Sequence, residues 1–230
     1  MAAARSVVDD GNDPRPTLRA GLWLYFSLLG LSTATIIALK AVPAINVDGA
    51  MELTLSGLFA VIVVAFGCFH AKSVVRLLRP VGSWQWYAVA LVAPVGTFLF
   101  AGLVLKAFHD VLGTPLLNEV EGFETNGYGF ATAVLAVCVL PAVSEEIAFR
   151  GMIFDGLARH LSVTEAALVS MVMFGILHLS VISLPHLLLI GLVLAALRIK
   201  SGSLLPGIIA HFLHNLLVCS SHWFHWRLPW

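Results

Sequence analysis

The 230-residue chain is poor in charge. Its 13 Lys and Arg and 13 Asp and Glu make up 11% of the residues and cancel one another. Water-soluble domains carry about 25% charged residues, so there is too little polar surface here to cover a soluble globule. Hydrophobic residues account for 59%, and the class that remains is an integral membrane protein of one domain. Zero net charge and scattered basic residues argue against a nucleic-acid partner. Cysteine is scarce too. Cys68, Cys138 and Cys219 fall in or beside apolar runs without CxxC spacing, so they read as buried thiols, with no disulfide or zinc framework. Strand-like alternation and internal repeats are also missing, which argues against a β-barrel and a repeat-built transporter.

What the chain does have is long apolar runs. A membrane helix needs about 20 mostly apolar residues, and seven stretches approach or reach that, at 21–43, 53–71, 85–107, 128–150, 164–181, 184–199 and 203–220. They predict an all-α polytopic transmembrane helix bundle of about seven helices. Residues 1–19 read as a disordered polar tail rather than a cleavable signal peptide. A single membrane domain follows over 20–220, with a short tail at 221–230. Pro94 and Pro141 lie inside helical runs, where each removes a backbone donor and bends the helix. Pro141 leaves the carbonyl of Cys138 or its neighbour short of a partner.

The distribution of basic residues gives an orientation. With a cytoplasmic N-terminus in the cell membrane, the inner set is Arg5, Arg15, Arg19, Lys72, Arg76, Arg79, Arg150, Arg159, Arg198 and Lys200. Only Lys40, Lys106 and Arg227 fall outside, together with the acidic 109–127 loop.

Six polar residues interrupt the apolar runs: Glu145, Glu146, Arg150, His178, His211 and Asn215. A charge at the bilayer centre costs about 2.5–3.5 kcal/mol on insertion scales, so such groups face the bundle interior and have partners. Glu146 and Arg150, four apart, share a helix face and are expected to form an ion pair. Glu145 is turned about 100° away and is left to face something else. His211 and Asn215 share one face of the last helix, as Phe174 and His178 do on the fifth. Glu145 and His178 also lie at equal distances on either side of a turn near Leu161–Ser162. Two continuous helices would carry both to the same depth, about 25 Å from the turn at 1.5 Å per residue.

Taken singly, each residue has an ordinary explanation. Glu146 and Arg150 form a packing bridge, a lone membrane histidine such as His186 or His214 is a satisfied interior group, and Phe149 and Phe174 are core. A free carboxylate, two histidines and an amide on three helices make a set that supports water activation. A carboxylate partly removed from water serves as general base; Glu145 with His178 holds and deprotonates a water. His211 and Asn215 donate to the oxyanion that forms, and Glu146 with Arg150 orients Glu145 from behind. No Ser or Cys pairs with a base as a nucleophile.

Three motifs gather these residues. "EEIAFR" (145–150) fits EExxxR, "FGILH" (174–178) fits FxxxH, and "HFLHN" (211–215) fits HxxxN. In this order on successive membrane helices, over about 130–220, they resemble the CAAX prenyl protease and bacteriocin-processing family, also called the Abi family. The resemblance places a protease-like core at about 128–220. It implies a glutamic-type intramembrane endopeptidase that cuts a membrane-associated protein or peptide, in CAAX-type or C-terminal-anchor processing. It implies that Glu145 and His178 activate water and that His211 and Asn215 stabilise the oxyanion; the lack of HExxH and of cysteine ligands favours a version without a cofactor.

Two rivals remain. The same residues would ligate zinc in a metal-dependent membrane protease, although HExxH and cysteine ligands are lacking. In the other, a non-catalytic scaffold or immunity protein uses the polar cluster to bind a partner. A proton-coupled transporter is weaker, for want of a repeat.

Overall fold

The computed structural model describes residues 15–41, 48–80, 83–114, 118 and 120–226. Among these there is helix and turn but no strand, so the fold is an all-α polytopic bundle. The helices are α1 (Leu18–Ala41), α2 (Gly49–Phe69), α3 (Ala71–Leu77), α4 (Gln85–Leu112), α5 (Glu121–Thr125), α6 (Phe130–Leu157), α7 (Val163–Leu177), α8 (Leu184–Ser201) and α9 (Leu205–Trp223). Seven of them coincide with the seven apolar stretches. Five (α1, α2, α4, α6 and α8) are long and apolar enough to cross a membrane. The α7 helix is apolar but only 15 residues long, about 22 Å at 1.5 Å per residue. Of the polar tails, residues 1–14 and 227–230 lie outside the described residues, as do Arg5, Glu119 and Arg227.

Hydrogen bonds at one end and aromatic packing at the other hold the bundle. At one end Arg159 Nη1 donates to the Arg15 carbonyl (3.0 Å), Leu204 N to the Leu77 carbonyl (2.8 Å) and Ser203 Oγ to the Arg79 carbonyl (2.8 Å). This end gathers the starts of α1, α4, α7 and α9 and the ends of α2, α6 and α8. Most of the basic residues stand here. At the other end Phe130 packs on Trp223 and Phe224, with ring centroids 5.3 Å apart in each case. Serine and glutamate set the start of α7: Ser162 Oγ accepts from the Glu165 N–H, and Glu165 accepts from the Ser162 N–H, a reciprocal cap that satisfies two orphan donors.

The central helix is α6. It widens to π-helical winding over Val134–Val139 and Glu146–Ile153, the kind of local loosening that often marks functional sites. Three carbonyls in these wide turns receive donors from other helices. Ser170 Oγ of α7 reaches the Phe149 carbonyl (2.9 Å), Arg198 Nε of α8 the Arg150 carbonyl (3.0 Å), and Asn215 Nδ2 of α9 the Val137 carbonyl (2.9 Å). Val137 is four residues before Pro141, whose ring nitrogen has no hydrogen to offer it. The carbonyl left short is therefore the neighbour of Cys138, and its partner comes from outside the helix.

The core around α6 is apolar, with Leu24, Leu28, Phe149, Met152 and Ile153 at most 1% exposed. The cysteines correct one expectation. Cys138 and Cys219 are buried, but Cys68 is exposed, because it lies on the outward face of α2, where an apolar thiol meets lipid rather than water.

Candidate active site

Residues 145, 146 and 150 sit where α6 passes from α-helical to π-helical winding. Glu146 is fully buried and Arg150 is 1% exposed. Arg150 Nη1 lies 3.0 Å from Glu146 Oε1, the ion pair expected from their four-residue spacing. The N–H of Nη1 is not aimed at that oxygen, so the attraction is Coulombic rather than a directed hydrogen bond. The other arm of the guanidinium, Nη2, donates to the Gly191 carbonyl of α8 (3.2 Å). Its plane lies over the Phe174 ring, 4.4 Å from the centroid, within the range of a cation–π contact. These contacts support the guanidinium of an ion pair removed from water, whereas Glu146 Oε2 is buried without a hydrogen-bond partner among the described residues.

Helix α9 approaches the same point along one face, with Gly207, His211 and Asn215 at four-residue intervals. His211 is 4% exposed and stands between both glutamates: its Nδ1 lies 3.3 Å from Glu146 Oε1 and its Nε2 3.8 Å from Glu145 Oε2. Above it, Asn215 commits one amide hydrogen to Val137. Below it, Gly207 lets the helix close in, since a β-carbon there would stand 2.7 Å from Glu146 Oε2. Gly207 is not among the residues that the motifs single out. Its only signal was that it shares a helix face with His211 and Asn215.

His178 caps α7. Its Nδ1 lies 2.9 Å from the Phe174 carbonyl. A carbonyl only accepts, so Nδ1 carries the hydrogen and Nε2 keeps a lone pair. Its ring packs edge-on against Phe174, which also contacts Phe149 and His211. Phe174 is thus a common wall for His178, His211 and Arg150, beyond the core packing expected of it.

Glu145 is the member of the pair that faces open space, with its side chain 13% exposed. It borders two cavities that His178 also borders. The larger, about 1020 Å³, is lined in addition by Phe174, His186, His211, His214 and Asn215. The smaller, about 280 Å³, is an apolar crevice between α1 and α2, walled by Leu31, Ile36, Leu55, Phe59 and Leu177. All four residues expected to take part in the chemistry therefore line one cavity, and Glu146 and Arg150 stand behind its wall.

Thr97 of α4 is another residue the sequence reading missed. Its hydroxyl donates to the Pro94 carbonyl (3.1 Å) and lies 2.9 Å from His214 Nδ1. With its one hydrogen on the carbonyl, the hydroxyl accepts from His214. His214 is in this sense the satisfied interior histidine of the ordinary explanation. His186 is different: its Nδ1 is buried without a hydrogen-bond partner among the described residues.

Fold and site together define a polytopic helical membrane protein with a carboxylate and imidazole-lined cavity inside its bundle. Residues 127–217 match the family described as "Rce1-like: Type II CAAX prenyl endopeptidase Rce1-like", and this segment holds all three motifs. No curated protein and no solved structure matches the chain.

Proposed function

We propose that the protein is a glutamic-type intramembrane endopeptidase that cuts a membrane-associated protein or peptide. The observation that carries this reading is the pair of Glu145 and His178 on one cavity wall, one a carboxylate facing open space and the other an imidazole with its Nε2 lone pair free. A water between them loses a proton to Glu145 as it attacks the scissile carbonyl. The oxygen of the water bonds to the carbonyl carbon, the carbonyl oxygen becomes the oxyanion, and the proton passes to the leaving nitrogen as the C–N bond breaks. The uncommitted amide hydrogen of Asn215 is the donor at hand for the oxyanion, and His211, whose Nδ1 hydrogen faces the Glu146 carboxylate, adds an Nε2 donor when its ring carries both hydrogens. Glu146 and Arg150 hold His211 and the backbone of Glu145 in register. The N-terminus faces the cytoplasm of the cell membrane, as the clustering of basic residues at one end of the bundle supports.

The test is cleavage in cells. Comparing C-termini in membrane proteomes with and without the gene identifies substrates as proteins left uncut. Glu145→Ala and His178→Ala are expected to leave those substrates uncut while the variants remain in the membrane. Wild-type processing by either variant overturns the assignment.

A further inference from the structure

Among the described residues, the lining of the large cavity extends toward one end of the bundle. No residue that lines it lies nearer the basic end of the bundle than Phe98 on α4, Glu145 on α6, Phe174 on α7, Ile190 on α8 and His211 on α9. Beyond that level the interior is filled. Glu146, Arg150 and Met152 are at most 1% exposed. Deeper still, Asp155 takes Arg198 Nη2 at 3.0 Å and has Arg76 Nη2 at 4.0 Å, so a second buried charge cluster ties α3, α6 and α8 together below the first.

In the other direction the cavity runs out to polar residues. Its lining follows α4 from Phe98 to Asp110 and α9 from His211 to His222, and it includes Glu52 near the start of α2 and Trp226 beyond α9. Eleven residues of helix, His211 to His222, correspond to about 16 Å of depth. An extended peptide advancing about 3.3 Å per residue covers that depth with about five residues. The mouth carries Glu52, His109 and the Lys106–Asp110 ion pair (2.8 Å), groups that suit a polar chain entering from water.

We propose that the large cavity admits substrate to Glu145 from the membrane face opposite the cytoplasm, and that the substrate is an extended peptide segment presented on that outer face. This rests on the protease reading and on the cytoplasmic N-terminus. The basic end of the bundle, with Arg19, Lys72, Arg76, Arg79, Arg159 and Lys200, is the cytoplasmic end by the distribution of Lys and Arg, and the cavity lining extends away from it. Along this cavity a cytosolic tail has no route to the carboxylate, whereas a segment beside the outer leaflet enters directly.

The experiment is cysteine accessibility, which does not depend on cleavage. Exposed Cys68 is replaced by Ala, and single cysteines are introduced as Ser221→Cys at the mouth, Leu105→Cys on the cavity wall and Lys72→Cys at the basic end. Intact cells are treated with a charged, membrane-impermeant maleimide. Ser221→Cys and Leu105→Cys are expected to label at least tenfold faster than Lys72→Cys, which labels only after permeabilisation. Labelling of Lys72→Cys in intact cells while both cavity positions stay protected overturns the proposal, and so does labelling of Leu105→Cys only from the cytoplasmic side. If the protease reading alone were wrong, the labelling pattern would stand and Glu145→Ala would leave every C-terminus unchanged.

Discussion

Gly207 on α9 stands so close to the Glu146 carboxylate that a β-carbon in its place would lie 2.7 Å from Oε2 and 3.5 Å from Cδ. Elsewhere a flexible acid would swing aside. Here Glu146 is fully buried, and its other oxygen is held by Arg150 and His211. Gly207→Ala must therefore push α9 away from α6 or break the ion pair, and overpacking of this kind costs about 1–3 kcal/mol. A lower unfolding midpoint in detergent and at least tenfold slower cleavage are expected. An unchanged midpoint and rate would show that the carboxylate has room the packing does not reveal.

Asn215 has a structural task besides any at the oxyanion. Its amide donates to the Val137 carbonyl, which Pro141 leaves without its helical donor. Asn215→Ala strands that carbonyl inside the bundle, at a cost of about 1–3 kcal/mol. Asn215→Asp is expected to be worse, because an ionised carboxylate would face the carbonyl oxygen with no hydrogen to offer. Ranking the two variants by thermal midpoint against wild type checks the order; equal midpoints would remove the bond from the account.

Removing one member of the buried ion pair leaves the other charged and alone. Glu146→Ala and Arg150→Ala are each expected to cost about 3–5 kcal/mol, seen as reduced protein in the membrane as well as lost cleavage. Arg150→Lys keeps the charge but cannot serve Glu146 and the Gly191 carbonyl from one planar fork, so it should fall between wild type and Arg150→Ala. Normal levels and normal cleavage by both alanine variants would show that neither residue supports the site.

The parts of this site that were legible in the sequence are those set by helical spacing. Charges inside apolar runs must turn inward, and a four-residue interval puts Glu146 beside Arg150 and His211 on the face of Asn215. Contacts between distant helices were not legible. Thr97 sits in an ordinary apolar run, and only the packing of α4 on α9 brings it to His214. Arg198 reads as a basic residue at a helix end, yet its Nε reaches the Arg150 carbonyl through a π-helical turn that no spacing rule announces. His211 could be assigned a face from its period, but not its place between two carboxylates, which depends on how closely Gly207 lets α9 approach. Cys68 was misjudged for a related reason: in a membrane the outward face of a helix is as apolar as the inward one, so hydropathy does not tell them apart.

Metal dependence separates the glutamic reading from the zinc reading, and chelation is the measurement that tests it. Zinc needs three protein ligands with an open fourth position. Among the described residues no three His, Cys, Asp or Glu side chains converge closely enough to hold an ion. The best-placed candidates already have partners: Glu146 holds Arg150, His211 Nδ1 lies against Glu146, and His178 Nδ1 is bound to the Phe174 carbonyl. Cleavage by purified protein is therefore expected to survive exhaustive chelation unchanged, and metal analysis of active protein to find well below one zinc per chain. Activity lost on chelation and restored by stoichiometric zinc would reverse this. It would also require Glu145, His178 and His211 to move together around the metal, which a structure of the zinc-treated protein would show.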